Sequence, residues 1–316
     1  MKKLYTILIT IFMVFFTICI TSCGNNKGDK LKVVGIIFPE YDWAREITKD
    51  VDNIDLTLIV DKNIDLHSFQ PSMDDIVSIT TADLLIYAGG ESEEWVRDAL
   101  ESKRNDSMEI LNLLEILGNN ARFEEVIEGM EDNEESEEAE YDEHVWLSLR
   151  NAKIFVQKIC DSLIKIDNKN KDKYLENTNF YLEKLSKLDL DYKNVIDNGN
   201  TKTLLFGDRF PFLYFVKDYG LSYYAAFKGC NAQSEASFET IIYLAKKVDE
   251  LSLSVILTIE GGNSSIAETI KQNTKNKNQT ILALNSIQSI SLAMAKDTSY
   301  IKIMESNLSI IEQAVA

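Results

Sequence analysis

Residues 31–39 read LKVVGIIFP, a nearly continuous apolar run that ends at a proline. A strand buried on both faces of a parallel sheet has this pattern, because neither of its faces is exposed to solvent. Working outward, we predict further strands at 56–60 and 84–88. Helices are predicted at 41–48, at 93–100 and from Ser72, which is a candidate helix cap with Asp75 three residues on. Strands that alternate with helices predict a parallel sheet covered on both faces.

A second set of alternating elements follows residue 200. Strands are predicted at 203–206, 222–227, 254–259 and 280–284, and helices at 212–218, 237–250, 265–272 and 300–315. The middle of the chain is predicted to be helical, and its second helix would be about 30–40 Å long at 1.5 Å per residue. The residues on one face of that helix are spaced alternately four and three apart: Tyr174, Thr178, Tyr181, Leu185, Leu188 and Tyr192. The pattern predicts two α/β halves braced by a long helix, with ligands in the cleft between them.

Composition and charge narrow the class of protein. The chain has 316 residues and is 45% hydrophobic, which is sufficient for a large core and predicts about two domains. Asp and Glu outnumber Lys and Arg by 51 to 33, which gives a net charge of −18. Nucleic acid is not an expected partner, because phosphates require a basic surface, whereas a cationic ligand suits this charge.

The acidic residues are concentrated at 123–143, which contains twelve acids and no base. A block of like charges repels itself, so we predict a mobile, solvated loop. Two interpretations remain open: a solubilising insertion and a weak collector of cations.

The N-terminus has the pattern of a secretory signal. Lys2 and Lys3 precede an uncharged run at 4–20, and the sequence ITSC follows at 20–23. A cysteine directly after small residues resembles a bacterial lipoprotein signal. We predict a signal peptide at 1–22, a lipidated Cys23 and a tether at 23–30 that holds the protein on the outer face of the cell membrane. The alternative is an uncleaved membrane anchor.

The two histidines, His67 and His144, are the candidate metal ligands. Both lie in predicted loops with acids close by: Asp65 near the first, and Asp142 and Glu143 near the second. Neutral imidazole with carboxylate suits zinc, manganese or iron, and a polar surface role is the alternative for each. The sequence lacks the glycine-rich nucleotide-binding motifs, a serine-hydrolase elbow and H-E-x-x-H. Cys230 could be a nucleophile, but a buried free thiol or simple packing is the preferred interpretation.

Several short motifs occur in order along the chain: VVGIIFP (33–39) with YDW (41–43), DLHSFQPS (65–72), ADL (82–84), GESEEW (90–95), DEHVWLS (142–148), YF (214–215) with YGL (219–221), and DTSY (297–300). Together they resemble the metal-binding lipoproteins of bacterial zinc and manganese ABC importers, the group that includes the zinc-uptake and adhesin-like receptors. The resemblance covers nearly all of residues 31–316.

This resemblance implies an α/β fold of two Rossmann-like lobes with parallel sheets, joined by a long helix, with a metal ion in the cleft between the lobes. We place the N-terminal lobe at 31–150, a helical segment with the linking helix at 151–198, and the C-terminal lobe at 199–316. The implied function is that of a receptor and not of an enzyme. It captures a divalent metal and delivers it to a membrane permease powered by an ATPase, and we expect it to be a monomer.

The resemblance also implies four metal ligands, of which the first two fall on His67 and His144. The third position falls on Arg209, which cannot bind a cation, so we predict Asp208 beside it, with a helix cap as the alternative role. The fourth position falls on Asn285, a neutral oxygen donor. Further candidates near strand ends are Glu235, Glu260 and the soft donor Cys230.

Zinc is the favoured metal, because the acidic insertion lies where zinc receptors often carry a histidine- or acid-rich loop. Manganese follows closely, because two imidazoles plus oxygens form a harder ligand set than three imidazoles. Two other functions remain open. One is a metallohydrolase that uses the same histidines, and the other is an adhesion-type lipoprotein that has lost metal binding.

Overall fold

A computed structural model describes residues 30–61, 64, 66–131, 140–229 and 235–316. The predicted signal peptide, the predicted lipid-bearing Cys23 and Cys230 lie outside these residues. So do Asp65 and positions 132–139 of the acidic segment. Within the described ranges, no helix combines the length and the apolar character that crossing a bilayer requires.

The first sheet has four parallel strands: β1 (Leu31–Gly35), β2 (Ile54–Leu58), β3 (Leu84–Tyr87) and β4 (Glu109–Asn112), in the spatial order β2-β1-β3-β4. The helices that follow them are α1 (Phe38–Ile47), α2 (Met73–Thr80), α3 (Glu94–Leu100) and α4 (Leu113–Leu117). All four residues of β3 are buried, as expected for a strand covered on both faces. Ser72 caps α2, because its side chain accepts a hydrogen bond from the backbone N–H of Asp75.

This sheet differs from the sequence-based prediction in three strands. β2 lies two residues before the predicted 56–60. β1 ends three residues early, because Pro39 stands in the first turn of α1, where a backbone N–H needs no helical partner. β4 and α4 were not predicted. β4 has only four residues, of which the first and last are Glu109 and Asn112, so it lacks the apolar run that marks the other strands.

Two helices form the middle of the chain: α5 (Leu149–Ile166) and α6 (Lys171–Asn198). The 28 residues of α6 correspond to about 42 Å. The buried residues of α6 are the six predicted from its periodicity together with Ile196. This confirms the long helix, which packs against α1, α5 and the last helix of the chain.

The second sheet is also parallel and consists of β5 (Thr203–Phe210), β6 (Ser222–Lys228), β7 (Val255–Ile259) and β8 (Thr280–Leu284), in the order β6-β5-β7-β8. In each sheet the first strand therefore lies between the second and the third. The accompanying helices are α7 (Leu213–Tyr219), α8 (Phe238–Leu251), α9 (Ser265–Asn273), α10 (Leu292–Ala295) and α11 (Tyr300–Val315). The predicted fold class, two parallel-sheet α/β lobes joined by a long helix, is confirmed.

β5 is longer than predicted and changes the interpretation of Asp208. The strand continues to Phe210, with a shift of register against β6 between Phe206 and Arg209. Such an irregularity lets a strand continue past a local break in pairing. Asp208 therefore lies within a strand, and α7 begins only at Leu213. The helix-cap role of Asp208 is wrong.

Neighbouring residues of the second sheet face different hydrophobic clusters. Leu204 and Phe206 belong to a large cluster that extends from Val33 to Val315, whereas Leu205 lies in a smaller cluster beneath α8 and α9. This follows from the alternation of side chains along a strand. One face of the second sheet thus shares its core with the first sheet, and Leu31–Ala316 forms one compact unit.

The acidic segment at 123–143 is predicted to be a solvated loop, but one end of it is buried in the structure. Phe123 pairs with Tyr141 in an antiparallel bridge, and their rings stack at 4.2 Å between centroids. Asp142 and Glu143 are buried. The prediction of a solvated loop is wrong for this end of the segment, because Asp142 contacts His144 and Glu143 contacts His67 instead of facing water.

We expect Leu185→Ala in α6 to lower the free energy of unfolding by about 2–5 kcal/mol, because it removes a completely buried side chain and leaves a cavity. Urea unfolding of the metal-free protein measures this. Leu190→Ala is the matched control on the same helix. Leu190 is 56% exposed, so its loss should change stability by less than about 0.5 kcal/mol. Equal losses in the two variants would contradict the assignment of the buried face.

Candidate metal centre

His67 and His144 are brought together at the carboxyl-terminal edge of the first sheet. His67 lies in a short 3-10 turn, Leu66–Ser68, after β2, and His144 directly precedes a second such turn, Val145–Leu147. Their ring centroids are 5.5 Å apart, although the residues are far apart in sequence. This is the edge at which open α/β sheets bind their ligands.

Glu143 completes a group of three potential metal ligands. One candidate ligand atom from each of His67, Glu143 and His144 lies within 4.8 Å of the others. His144 and Glu143 are buried, and the side chain of His67 is 8% exposed. Two imidazoles and one carboxylate form a donor set that zinc commonly takes in proteins.

Asp142 determines which nitrogen of His144 faces the group. One oxygen of Asp142, Oδ1, accepts a hydrogen bond from the His144 backbone N–H at 2.8 Å and lies 3.1 Å from His144 Nδ1. A carboxylate only accepts, so Nδ1 carries a proton, and in the neutral imidazole that a metal requires Nε2 keeps its lone pair. That Nε2 is buried and has no hydrogen-bond partner among the described residues. A buried acceptor left in this way is costly unless it binds a ligand such as a metal ion.

Ser92 connects the other two members of the group. Its hydroxyl donates to Glu143 Oε1 and lies 2.6 Å from His67 Nδ1, and its backbone N–H donates to Glu143 Oε2 at 3.2 Å. His67 Nδ1 is also 3.2 Å from Glu143 Oε1. Ser92 lies in the 3-10 turn Glu91–Glu93 that follows β3. Strand β3 therefore brings a polar contact to both ligands.

Two glycines leave space around the group. A Cβ atom at Gly90, whose φ is +98°, would lie 2.6 Å from Glu143 Oε2. A Cβ atom at Gly229, which follows β6, would approach His144 Cε1 to 3.1 Å. Larger residues at these two positions would displace the glutamate or the imidazole.

Burial determines the ionisation of the acids around the group. It raises the pKa of Glu143, although His144 and the contacts from Ser92 oppose this. It also raises the pKa of Glu93 to about 8, with a further contribution from Glu143. Behind them, burial and the charge of Glu93 raise the pKa of Glu40, whose carboxylate accepts from the backbone N–H groups of residues 36 and 37. For His144, burial by itself would lower the pKa, but the charges of Asp142 and Glu143 outweigh it, and the pKa is raised.

Three acids among the other predicted ligands, Asp208, Glu235 and Glu260, lie in the described part of the chain and are not members of this group. Asp208 accepts backbone hydrogen bonds from Ile259 at 3.1 Å and from Arg209 at 2.8 Å. Glu260 accepts from the backbone and the hydroxyl of Ser286, and Asn285 Oδ1 accepts from the backbone N–H of Ile287. Glu235 is exposed. Burial raises the pKa of Asp208, with its two backbone contacts acting in the opposite direction.

Glu143 is the residue of this group that the sequence-based prediction missed. It was noted as an acid beside His144, but it also ends the acidic run, and that run predicted solvent exposure. Its contacts with Gly90 and Ser92, about fifty residues away, determine its position. The one available signal was its place directly before a candidate histidine ligand.

Known proteins match this sequence over most of its length. The family model described as ZnuA, zinc-uptake complex component A periplasmic, matches residues 33–314. The chain is 28% identical over 312 residues to the high-affinity zinc uptake system protein ZnuA of Bacillus subtilis, covering 94% of this chain and 93% of that protein. It is 27% identical over 320 residues to the zinc-binding lipoprotein AdcA of Streptococcus pneumoniae, covering 99% of this chain but 61% of AdcA. This chain therefore spans about three fifths of the length of AdcA.

Solved structures agree with the fold. The crystal structure of the metal-dependent lipoprotein YcdH from Bacillus subtilis superimposes with a TM-score of 0.74 at 27% sequence identity. The match covers 90% of this chain and 99% of that one.

We expect Glu93→Gln to remove part of the pH dependence of stability in the metal-free protein. A carboxyl whose pKa rises on folding holds its proton more tightly in the folded state. The free energy of unfolding therefore falls as the pH rises from the pKa of the group in the unfolded chain to its pKa in the folded protein. With a folded pKa of about 8 against 4.5, the wild type should lose on the order of 3 kcal/mol more than Glu93→Gln between pH 5 and pH 8. Urea unfolding at both pH values measures the difference.

The control for this experiment is Glu94→Gln. Glu94 is adjacent to Glu93, but its side chain is 62% exposed and pairs with the exposed Arg97. This variant should keep the decline of the wild type. A Glu93→Gln protein with the full wild-type decline would contradict a protonated, buried Glu93.

Proposed function

Because this chain belongs to the family of zinc-uptake complex component A proteins, we propose that it is the extracytoplasmic metal-binding receptor of an ABC importer. It captures a divalent transition metal, with zinc favoured, and delivers it to the membrane permease and its ATPase. The relatives support this function by name: one is a high-affinity zinc uptake protein and another a zinc-binding lipoprotein. We also propose attachment to the membrane through a lipid on Cys23, as the motif before it indicates.

The observation that carries the proposal is the convergence of His67, Glu143 and His144 at the cleft edge of the first sheet. The orientation of His144 supports it, since Nε2 points its lone pair into a buried site while Asp142 holds the opposite nitrogen. A divalent cation would satisfy that nitrogen and would offset the negative charge that burial disfavours on Glu143. The metal is the cargo of the protein.

Zinc suits this donor set better than manganese does. Imidazole nitrogen is a donor that zinc accepts readily, whereas manganese favours carboxylate, carbonyl and water oxygens. For a given nitrogen and oxygen site, affinity also rises from manganese to zinc along the divalent series. Three protein ligands leave a further position for water or another donor.

We expect His144→Ala to weaken zinc binding by more than about 100-fold, because the substitution removes a ligand and not merely a residue that orients one. Equilibrium dialysis with metal analysis, on protein stripped by a chelator, measures the change. Circular dichroism checks that the variant is folded.

The control is Asp208→Asn. Since Asp208 accepts two backbone hydrogen bonds, this variant should lose about 1–3 kcal/mol of stability but keep the zinc affinity of the wild type. If Asp208→Asn lost zinc and His144→Ala kept it, the proposed site would be wrong.

We expect zinc to displace manganese when both are offered at equal concentration, with at least a tenfold preference, for the reasons of donor type and intrinsic affinity given above. Metal analysis after dialysis of the wild type against the mixture gives the ratio directly. Retention of manganese in excess of zinc would contradict the choice of zinc and leave the receptor function intact.

A further inference from the structure

Ser92 contacts both Glu143 and His67 but is not itself one of the three grouped ligands. It is half-buried in the turn after β3, and both of its polar groups face the site. The backbone N–H and the side-chain hydroxyl bind the two different oxygens of Glu143. One residue therefore fixes the rotation of the whole carboxylate.

The single proton of the Ser92 hydroxyl also determines which ring nitrogen of His67 is protonated. A serine hydroxyl has one proton to donate, and the acceptor here is Glu143 Oε1. The remaining contact, 2.6 Å from Ser92 Oγ to His67 Nδ1, then requires Nδ1–H as the donor. Neutral His67 therefore keeps the lone pair on Nε2, the same tautomer that Asp142 favours for neutral His144.

Gly90 makes room for this arrangement. A side chain there would lie 2.6 Å from Glu143 Oε2 and 2.8 Å from its Cβ. The turn that brings Ser92 to Glu143 is therefore compatible with the glutamate only because residue 90 is glycine.

Building on the proposed function, we propose that Ser92 is a positioning residue of the metal site, which holds Glu143 as the carboxylate ligand and fixes His67 in the tautomer that binds through Nε2. A carboxylate that accepts two hydrogen bonds still has lone pairs for a cation. The anionic ligand then comes from the same lobe as both histidines, and not from Asp208 or Glu260 of the second sheet.

The test uses zinc and cobalt alone as probes of the chelator-stripped chain. Ser92→Ala should weaken zinc binding by about 10–100-fold, the usual effect of losing a residue that orients a ligand. Ser92→Thr, which keeps the hydroxyl, should bind within a few-fold of wild type. The visible absorption of bound Co²⁺ should shift in Ser92→Ala and not in Ser92→Thr, while circular dichroism shows that the metal-free alanine variant is folded. Ser68→Ala, an exposed serine next to His67, is the control and should change none of these readings.

A double-mutant cycle with Glu143→Ala separates positioning from general packing. If Ser92 acts through Glu143, Ser92→Ala should cost clearly less zinc affinity in the Glu143→Ala background than in the wild type. Equal losses in both backgrounds, or wild-type affinity and an unshifted Co²⁺ spectrum in Ser92→Ala, would overturn the role of Ser92. Neither result contradicts the proposed receptor function. That proposal is contradicted only if His144→Ala binds zinc as tightly as the wild type does.

Discussion

The two contacts between Asp142 and His144 are the interaction on which the site depends. Asp142 holds the backbone and the ring of His144 through a single oxygen, and Nε2, the nitrogen that Asp142 does not contact, is buried without a hydrogen-bond partner among the described residues. The imidazole cannot turn away without breaking its Nδ1 contact with Asp142 at a buried position. The orientation of the ligand is therefore built into the fold before any metal arrives, which lowers the cost of ordering on binding.

Around this centre the protein buries three carboxyl groups whose charged form burial disfavours. Glu143 is out of water, Glu93 lies behind it, and Glu40 lies behind Glu93 with its carboxylate on two backbone N–H groups. Burial raises the pKa of each of these three acids. A divalent cation beside Glu143 reverses the balance locally, because positive charge favours the ionised form. Perturbed pKa values of this kind cluster at functional sites.

Much of the fold could be predicted from the sequence, because apolar runs and helical periodicity reflect burial directly. The buried face of α6 and the bounds of β8 and α11 are examples. β4 could not be predicted, because its four residues, which begin with Glu109 and end with Asn112, form no apolar run. Asp208 was misplaced because no local signal shows that β5 continues through its register shift.

The residues of the candidate metal site also include some that the sequence predicts and one that it does not. His67 and His144 were identifiable because imidazole has few roles and only two histidines occur. Glu143 was hidden among twelve acids, since its contacts with Gly90 and Ser92 arise only when β3 and the segment before α5 meet in space.

The core that runs from Val33 to Val315 has a consequence for the way the chain unfolds. Leu204 and Phe206 of the second sheet lie in the same apolar cluster as the first sheet, and Asp42 of α1 accepts the backbone N–H of Tyr300 at the start of α11 at 2.8 Å. Neither lobe can be cut away without exposing the apolar surface that the other covers. The two lobes should therefore melt in one cooperative transition, and a half-chain should fail to fold by itself, even though each lobe has a complete four-stranded sheet.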